Sequence, residues 1–295
     1  MMRSGGPTVV RVSADADTAG LIIAAIERAG NDGASPTWGV PLQLTTRSPH
    51  EAQSSDPGAS VDLDLLLDGA ESAPMFHSAW TLDRVRVARQ WRIGSPAAIG
   101  ILEVLAAFPE ADRISAVVIQ PASRGSNSLH GPIDSLRFDQ LSDCSAPAWL
   151  EFPNWRVCSL VAPHTRCWTV SLAIDLRDPI SSETAVSQLL ETGRVVFAPE
   201  AFGFGDTALL AEFFRDLSRP LGAFAEIVVL PRQLELAGSR LHLWLAMDEA
   251  SQVAQALDCV AAHVAEPEVL GTVRGNTERA LGLLRGFSPP PGRRQ

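Results

Sequence analysis

A chain of 295 residues, 46% hydrophobic and 20% charged, has room for two modest domains with separate cores. Its net charge of −10 excludes a general nucleic-acid binder, since neutralising phosphates needs clustered positive charge. All 24 basic residues are arginine and tyrosine is absent, which rules out a Schiff base, a lysine general base and a phenolic acid.

The opening MMRSGGPTVVRV lacks the apolar stretch of a secretory leader, and no apolar run approaches the roughly 20 residues that cross a bilayer. The four cysteines, Cys144, Cys158, Cys167 and Cys259, show no CxxC spacing, so neither a disulfide framework nor a metal site is predicted. A cytoplasmic protein with free thiols and no membrane attachment is the expectation.

In chain order, Thr8 to Val12 reads as a short buried strand, with Asp15 and Asp17 offering capping oxygens before the apolar helix Leu21 to Ala29. Gly30 to Ser60 is rich in Gly, Ser, Pro and Asp, with a short strand at Val40 to Leu44. Val61 to Leu67 and Val85 to Ala88 read as two further strands, and Pro96 opens a helix to Ala107. Ile114 to Ile119 is a β-branched strand and Ser142 to Pro153 a polar loop. Strands follow at Trp168 to Leu176, Arg194 to Ala198, Ala225 to Leu230 and Arg240 to Met247. Helices are predicted at Ser181 to Glu191, Thr207 to Leu217, Glu249 to Ala265 and Thr277 to Leu284. Long strands followed by returning helices predict a mixed sheet with helices on one face. Ser288 to Gln295 is a Pro/Arg tail with the composition of a disordered segment.

Four stretches carry a family resemblance: HGPID at His130 to Asp134, GRVVFAPEAFGFGDTALLAEFFRDLSRP at Gly193 to Pro220, LWLAMDEAS at Leu243 to Ser251, and TERALGL at Thr277 to Leu283. In this order they resemble the catalytic domain of archaeal-type (type II) glyceraldehyde-3-phosphate dehydrogenase. The corresponding family stretches are RGPI(N/D) after a buried strand, a Pro-Arg strand and helix ending RDLGRPR, QAVHQES at a strand end, and a C-terminal TNKALGI. The resemblance runs from about residue 84 to 284. It implies an α/β fold: a reduced Rossmann-like domain over 1–93, then an α+β catalytic-type domain over 94–274 whose mixed sheet is covered by helices. The helix 275–287 would pack back on the first domain, and an oligomer, dimer or tetramer, would be built on the second-domain sheet.

Fold does not imply function, so each functional position of that family is read in this sequence. A dinucleotide-binding turn needs glycines where backbone approaches pyrophosphate. Here Ser13-Ala14-Asp15-Ala16-Asp17-Thr18-Ala19-Gly20 retains a single glycine and sets two carboxylates where a phosphate would lie. No dinucleotide cofactor is expected, and Asp15 and Asp17 read as helix caps, worth roughly 1 kcal/mol each. The resemblance also places a nucleophilic cysteine at the start of the helix joining the domains, where the helix dipole favours a thiolate. The matching stretch, Val85 to Ile101, has Gly94-Ser95-Pro96, and no cysteine precedes Cys144. Ser95 reads as an N-cap rather than a nucleophile, having no base beside it in sequence.

The family's general-base segment matches Val161 to Val170, VAPHTRCWTV. His164 and Cys167, with Arg166 between them, are candidates for a thiolate–imidazolium couple. On an extended strand they face opposite ways, so pairing requires a bend, and packing with loop hydrogen bonds is the plainer reading. Asp248 stands where the family has a histidine, next to Glu249, a carboxylate pair able to exchange protons or simply to be solvated. Arg84, Arg86, Arg89 and Arg92 fall within nine residues around Trp91. On a strand Arg84 and Arg86 share a face, while Arg89 and Arg92 lead to the helix start and, with Arg124, form an anion-site candidate. Salt bridging to the abundant carboxylates is the competing reading.

Two functions follow. One is a degenerate dehydrogenase without NAD-dependent activity, acting as an accessory subunit through a homo-oligomer or a protein partner, with Trp149, Phe152, Trp155 and Trp168 as interface candidates. The other is a repurposed non-redox enzyme acting on a small anionic substrate in a specialised biosynthetic pathway, through Arg89, Arg92, Arg124, His164 and Asp248.

Overall fold

The computed structural model describes residues 8–14, 16–31, 42–47, 63–67, 73–122, 136–139, 147, 150, 152, 154–164, 167–199, 204, 206–219 and 222–286. The chain divides into two compact units, Met1–Ser95 with Gln252–Leu283, and Pro96–Ser251 with Leu284–Gln295. It crosses from one to the other three times. Asp15, the polar segment after residue 123 with Arg124 and His130 to Asp134, and the Pro/Arg tail lie outside the described residues.

The first unit is built on a parallel sheet ordered β2-β1-β3-β5-β4, from β1 (Thr8–Ser13), β2 (Leu42–Arg47), β3 (Leu63–Leu66), β4 (Met75–Phe76) and β5 (Gln90–Ile93). Parallel neighbours cannot be joined by a hairpin, and α1 (Ala16–Asn31) lies in the crossover from β1 to β2. Its Ile22 and Ile26, four apart, are buried while Leu21 is exposed, so one stripe of the helix packs inward. On the sheet, Val10, Val12, Leu63, Leu65, Trp91 and Ile93 share one face and are all buried. The unit also takes α5 (Ala250–Val264, from Gln252 on), a 3₁₀ turn (Pro267–Thr272) and α6 (Val273–Ala280). The last helix begins one turn earlier than its sequence pattern predicts.

One predicted strand is absent. Leu82–Val87 forms a 3₁₀ helix and the strand starts at Gln90. A four-residue alternation does not separate strand from short helix; here the burial of Trp91 decides. Its indole Nε1 donates to the Val85 carbonyl at 2.9 Å, and its ring meets Phe76 edge-on, centroids 5.9 Å apart. Arg84 and Arg86 therefore do not share a strand face; both are exposed on the 3₁₀ turn.

The second unit is built on a mixed sheet ordered β10-β11-β12-β9-β6-β8-β7. Its strands are β6 (Ala111–Pro121), β7 (Arg137–Asp139), β8 (Trp155–Ala162), β9 (Trp168–Leu176), β10 (Val195–Phe197), β11 (Ile227–Ala237) and β12 (Arg240–Met247). β6–β8 and β10–β11 are parallel and the remaining pairs antiparallel. β9 and β12 coincide with their predicted spans. β8 was not apparent in sequence, because Trp155-Arg-Val-Cys-Ser-Leu alternates only weakly.

Helix α2 (Pro96–Ala107) packs on β9 and β12 and is buried on every side from Pro96 to Leu105. Gly100 lets it approach closely, since a Cβ there would overlap the Met247 sulfur. Helix α3 (Ser182–Glu191) is capped by Ser181, whose Oγ accepts from the Thr184 N–H at 3.1 Å. Helix α4 (Thr207–Asp216) is capped by Asp206, which accepts from Ala208 and Leu209. It corrects the expectation of helices on a single face. Its Phe213 and Phe214 pack with Val196, Val228 and Ala246, which alternate with the residues of β12 that face α2. Phe214 stacks on Phe224, centroids 4.5 Å apart and rings 10° from parallel.

No helix among the described residues is long and apolar enough to cross a membrane. Gly222 has φ +73°, and a Cβ there would also overlap the Ala211 carbonyl oxygen. Gly222→Ala should lower unfolding stability by about 2–3 kcal/mol. Gly271→Ala, with open space around the position, should change it by less than about 0.5 kcal/mol. Chemical denaturation of the two variants checks both.

Candidate functional site

The residues to which sequence assigns chemistry are distributed over both units. At the start of α2, Gly94 and Ser95 are buried, and Pro96 takes the first helical position, where its missing N–H leaves nothing unsatisfied. The Gly94 carbonyl accepts from Gln252 Nε2 at 3.1 Å. Ser95 is 6% exposed, and the stretch Val85 to Ile101 contains no cysteine.

The chain turns at the end of β8. β8 ends at Ala162, the His164 N–H donates back to the Ala162 carbonyl at 2.8 Å, and its own carbonyl accepts from Ala122 at 3.0 Å. Cys167, the residue before β9, has φ +61°, a left-handed conformation unusual for a side-chain-bearing residue. Its thiol turns inward: Sγ donates to the Thr207 carbonyl at 3.8 Å, and the side chain lies in the aromatic core with Phe213, Phe214 and Phe224. At 3% exposure the sulfur is a packing group at the head of α4. Asp248 follows β12, and its Oδ1 accepts from the Ala250 N–H at 3.0 Å, capping α5. Arg124 lies outside the described residues.

In the first unit Arg89 is exposed and Arg92 half-buried. They sit on opposite sides of Gln90, and only Arg92 lies within the sheet. The polar side chains that converge in this unit are others. At the carboxyl ends of β4 and β5, His77, Ser78, Thr81, Gln252 and Gln255 are all buried. The Ser78 N–H donates to Gln255 Oε1 at 2.9 Å, and Arg274 Nη1 donates to Ser78 Oγ at 3.3 Å. The Ala79 N–H donates to His77 Nδ1 at 3.3 Å. Open parallel sheets present ligands at this edge because the loops and helix ends meet there. The sequence holds one signal for the cluster: Gln252, Gln255 and Asp258 recur every three residues along an otherwise apolar helix. His77 and Ser78 carry none. No group of three or more His, Cys, Asp and Glu side chains suited to a metal occurs among the described residues.

No family model matches the chain. Among curated proteins it is similar to glyceraldehyde-3-phosphate dehydrogenase of Thermococcus onnurineus, 27% identical over 199 residues, covering 66% of this chain and 59% of that one. The enzymes of Thermococcus kodakarensis (28% over 199 residues, 66% and 59%) and Metallosphaera sedula (26% over 214 residues, 68% and 63%) are similar in the same way. The chain thus spans about six-tenths of the length of the curated relatives it matches. Among solved structures it is similar to aspartate semialdehyde dehydrogenase II of Vibrio cholerae, with TM-score 0.57 at 13% identity, covering 90% of this chain and 99% of that one. A probable aspartate-semialdehyde dehydrogenase of Pseudomonas aeruginosa gives 0.56 at 14%, over 87% and 97%. The fold is dehydrogenase-like. In sequence the chain is glyceraldehyde-3-phosphate-dehydrogenase-like.

The thiols of this dehydrogenase-like chain differ sharply in accessibility. Cys158 is exposed, whereas Cys167 and Cys259 are buried. Complete burial, reinforced by the neighbouring Asp258 carboxylate, pushes the Cys259 thiol well above its ordinary range. In the native protein an aromatic disulfide reagent should spare Cys167 and Cys259 until denaturant is added; a Cys167→Ser variant that loses an equivalent of labelling before denaturation would place that thiol at the surface.

Proposed function

We propose that the chain is a glyceraldehyde-3-phosphate-dehydrogenase-like protein without NAD-dependent dehydrogenase activity, acting as an accessory, partner-binding subunit. The observation that carries the reading is the start of α2. Aldehyde oxidation through a thiohemiacetal needs a thiolate where β5 hands over to that helix, and this chain has Gly94-Ser95-Pro96 there. Cys167, the cysteine nearest in sequence to a histidine, is committed to the core. The loss of turn glycines after β1, read from Ser13 to Gly20, points the same way, because side chains and carboxylates oppose a pyrophosphate.

For the partner, the reading is a second copy of the chain in the cytoplasm. Away from α4, one face of the second unit's sheet carries Val117, Ile119, Leu160 and Trp244 on neighbouring strands. Val117 is 38% exposed and the other three are half-buried. A row of Arg113, Asp175 and Arg240 borders them, with N–O separations of 3.9 and 3.6 Å. An apolar centre with a charged rim is the anatomy of a protein interface.

Two measurements test this. Incubated with glyceraldehyde 3-phosphate, phosphate and NAD or NADP, the protein should produce no reduced cofactor, and calorimetry should show no saturable dinucleotide binding; either signal overturns the inactive reading. Light scattering after size exclusion should give a dimer or tetramer that Val117→Arg converts to a monomer. A wild-type monomer would overturn the oligomer.

A further inference from the structure

Most of the arginine cluster around Trp91 is carried by a turn at the protein surface, not by the sheet. Leu82–Val87 is a 3₁₀ helix, and at about three residues per turn its successive side chains face three ways. Val85 takes the inward direction and is 1% exposed. Arg84 and Arg86, on either side of it, are exposed, and so is Arg89 immediately before β5. From Leu82 to Arg89 three guanidinium groups stand against one carboxylate, that of Asp83, which is also exposed.

The turn is fixed from beneath and at both ends. At its start the His77 N–H donates to Thr81 Oγ1, and Thr81 Oγ1 donates to the His77 carbonyl, each at 3.0 Å. In the middle the Val85 carbonyl accepts from Trp91 Nε1 at 2.9 Å. At its far end the Arg89 carbonyl accepts from the Asp64 N–H at 2.8 Å, tying it to β3. Pairing inside the protein does not account for the charges. Exposed Arg113, Arg177 and Arg240 each have an aspartate oxygen nearby, at 3.9, 3.7 and 3.6 Å. Among the described residues no such partner faces Arg84, Arg86 or Arg89, and Asp83 pairs with none of them. Arg156 and Arg215 also lack a carboxylate partner, but each of those stands alone.

We propose that the turn from Leu82 to Arg89 docks an acidic, extended segment of a partner polypeptide, whose Asp or Glu carboxylates are taken by Arg84, Arg86 and Arg89. The three guanidinium groups leave the turn on different sides, so one small anion does not meet them all. Side chains on the same side of an extended peptide recur about every 7 Å and can reach them in turn. The planar guanidinium fork bonds both oxygens of a carboxylate at once. A turn already held in place loses little further freedom on binding. Net charge argues for a short acidic segment over a nucleic acid: at −10 the rest of the molecule repels a continuous polyphosphate. This surface lies on the first unit and is separate from the sheet assigned to the second copy. It stands whether or not that oligomer forms.

The test uses the full chain and fluorescence anisotropy. The probe is a labelled peptide of about ten glutamates; the comparison probes are a glutamine peptide of the same length and a single-stranded DNA of the same charge. The glutamate peptide should bind saturably at low salt and the glutamine peptide should not. Raising salt from about 0.05 M to about 0.5 M should weaken binding at least tenfold. The combined variant Arg84→Gln, Arg86→Gln, Arg89→Gln should lose at least tenfold in affinity with an unchanged melting temperature, since all three side chains are exposed. Asp83→Asn should tighten binding several-fold. Absence of saturable binding at low salt overturns the proposal, as does a triple variant that binds as wild type. Tighter binding of the DNA than of the glutamate peptide would assign the patch to nucleic acid and overturn it too. So would a triple variant that turns a wild-type oligomer into a monomer by light scattering, because the patch would then meet a second copy.

Discussion

The second unit depends on β9. It is flanked antiparallel on both sides, by β6 and by β12, and its alternate residues Val170, Leu172, Ile174 and Leu176 point into the core. The apolar layer they form with Leu241, Leu243 and Leu245 of β12 is what α2 packs on. That helix has no polar face of its own and is submerged on every side from Pro96 to Leu105. A helix of this kind has no stable existence apart from its sheet, because its helical stability comes from packing rather than from propensity. This contact fixes the start of α2 and the first residues of β9.

The turn from β8 into β9 illustrates how a polar position becomes a structural one. Cys167 sits between His164 and the first residue of β9, within a few residues of an imidazole in sequence. Its positive φ directs the thiol under α4 instead, into a core of stacked phenylalanines. The same core is closed by a buried carboxylate. Glu226, fully buried, accepts from Arg219 at 2.9 Å and from the Leu284 N–H at 2.8 Å through Oε1, and Arg219 lies 5.9 Å above the Phe214 ring. Burying such a pair contributes little net stability, though removing one partner alone is strongly destabilising. Its effect is to hold Leu284 against Phe214 and its neighbours, so the last chain crossing ends on the second unit.

The first unit shows the opposite tendency. Its sheet is the simpler of the two, all parallel, yet it retains polar groups on one face and at one edge. Apolar packing on the Val10 and Leu65 face is enough to hold the strands in register. The other face is then free to carry Arg11, Asp64 and Arg92 at some cost in unpaired oxygens.

Much of this was legible in the sequence. Period-2 alternation and chain length placed β9 and β12 to the residue, and Pro96 marked the start of α2, because burial on one face imposes those patterns regardless of partners. The absence of lysine, and of any cysteine before Cys144, limits the chemistry directly, since a missing atom needs no structure to be missing. What tertiary structure decided were matters of direction. Val85 to Ala88 has the alternation of a strand, but docking of Trp91 against Phe76 and the Val85 carbonyl winds it into a 3₁₀ turn. His164 and Cys167 are neighbours in sequence, yet the backbone at Cys167 sends the sulfur into the core. Arg11, Ser13, Asp64 and Arg92 are scattered over more than eighty positions and become neighbours only through strand register, a long-range property that no local pattern encodes.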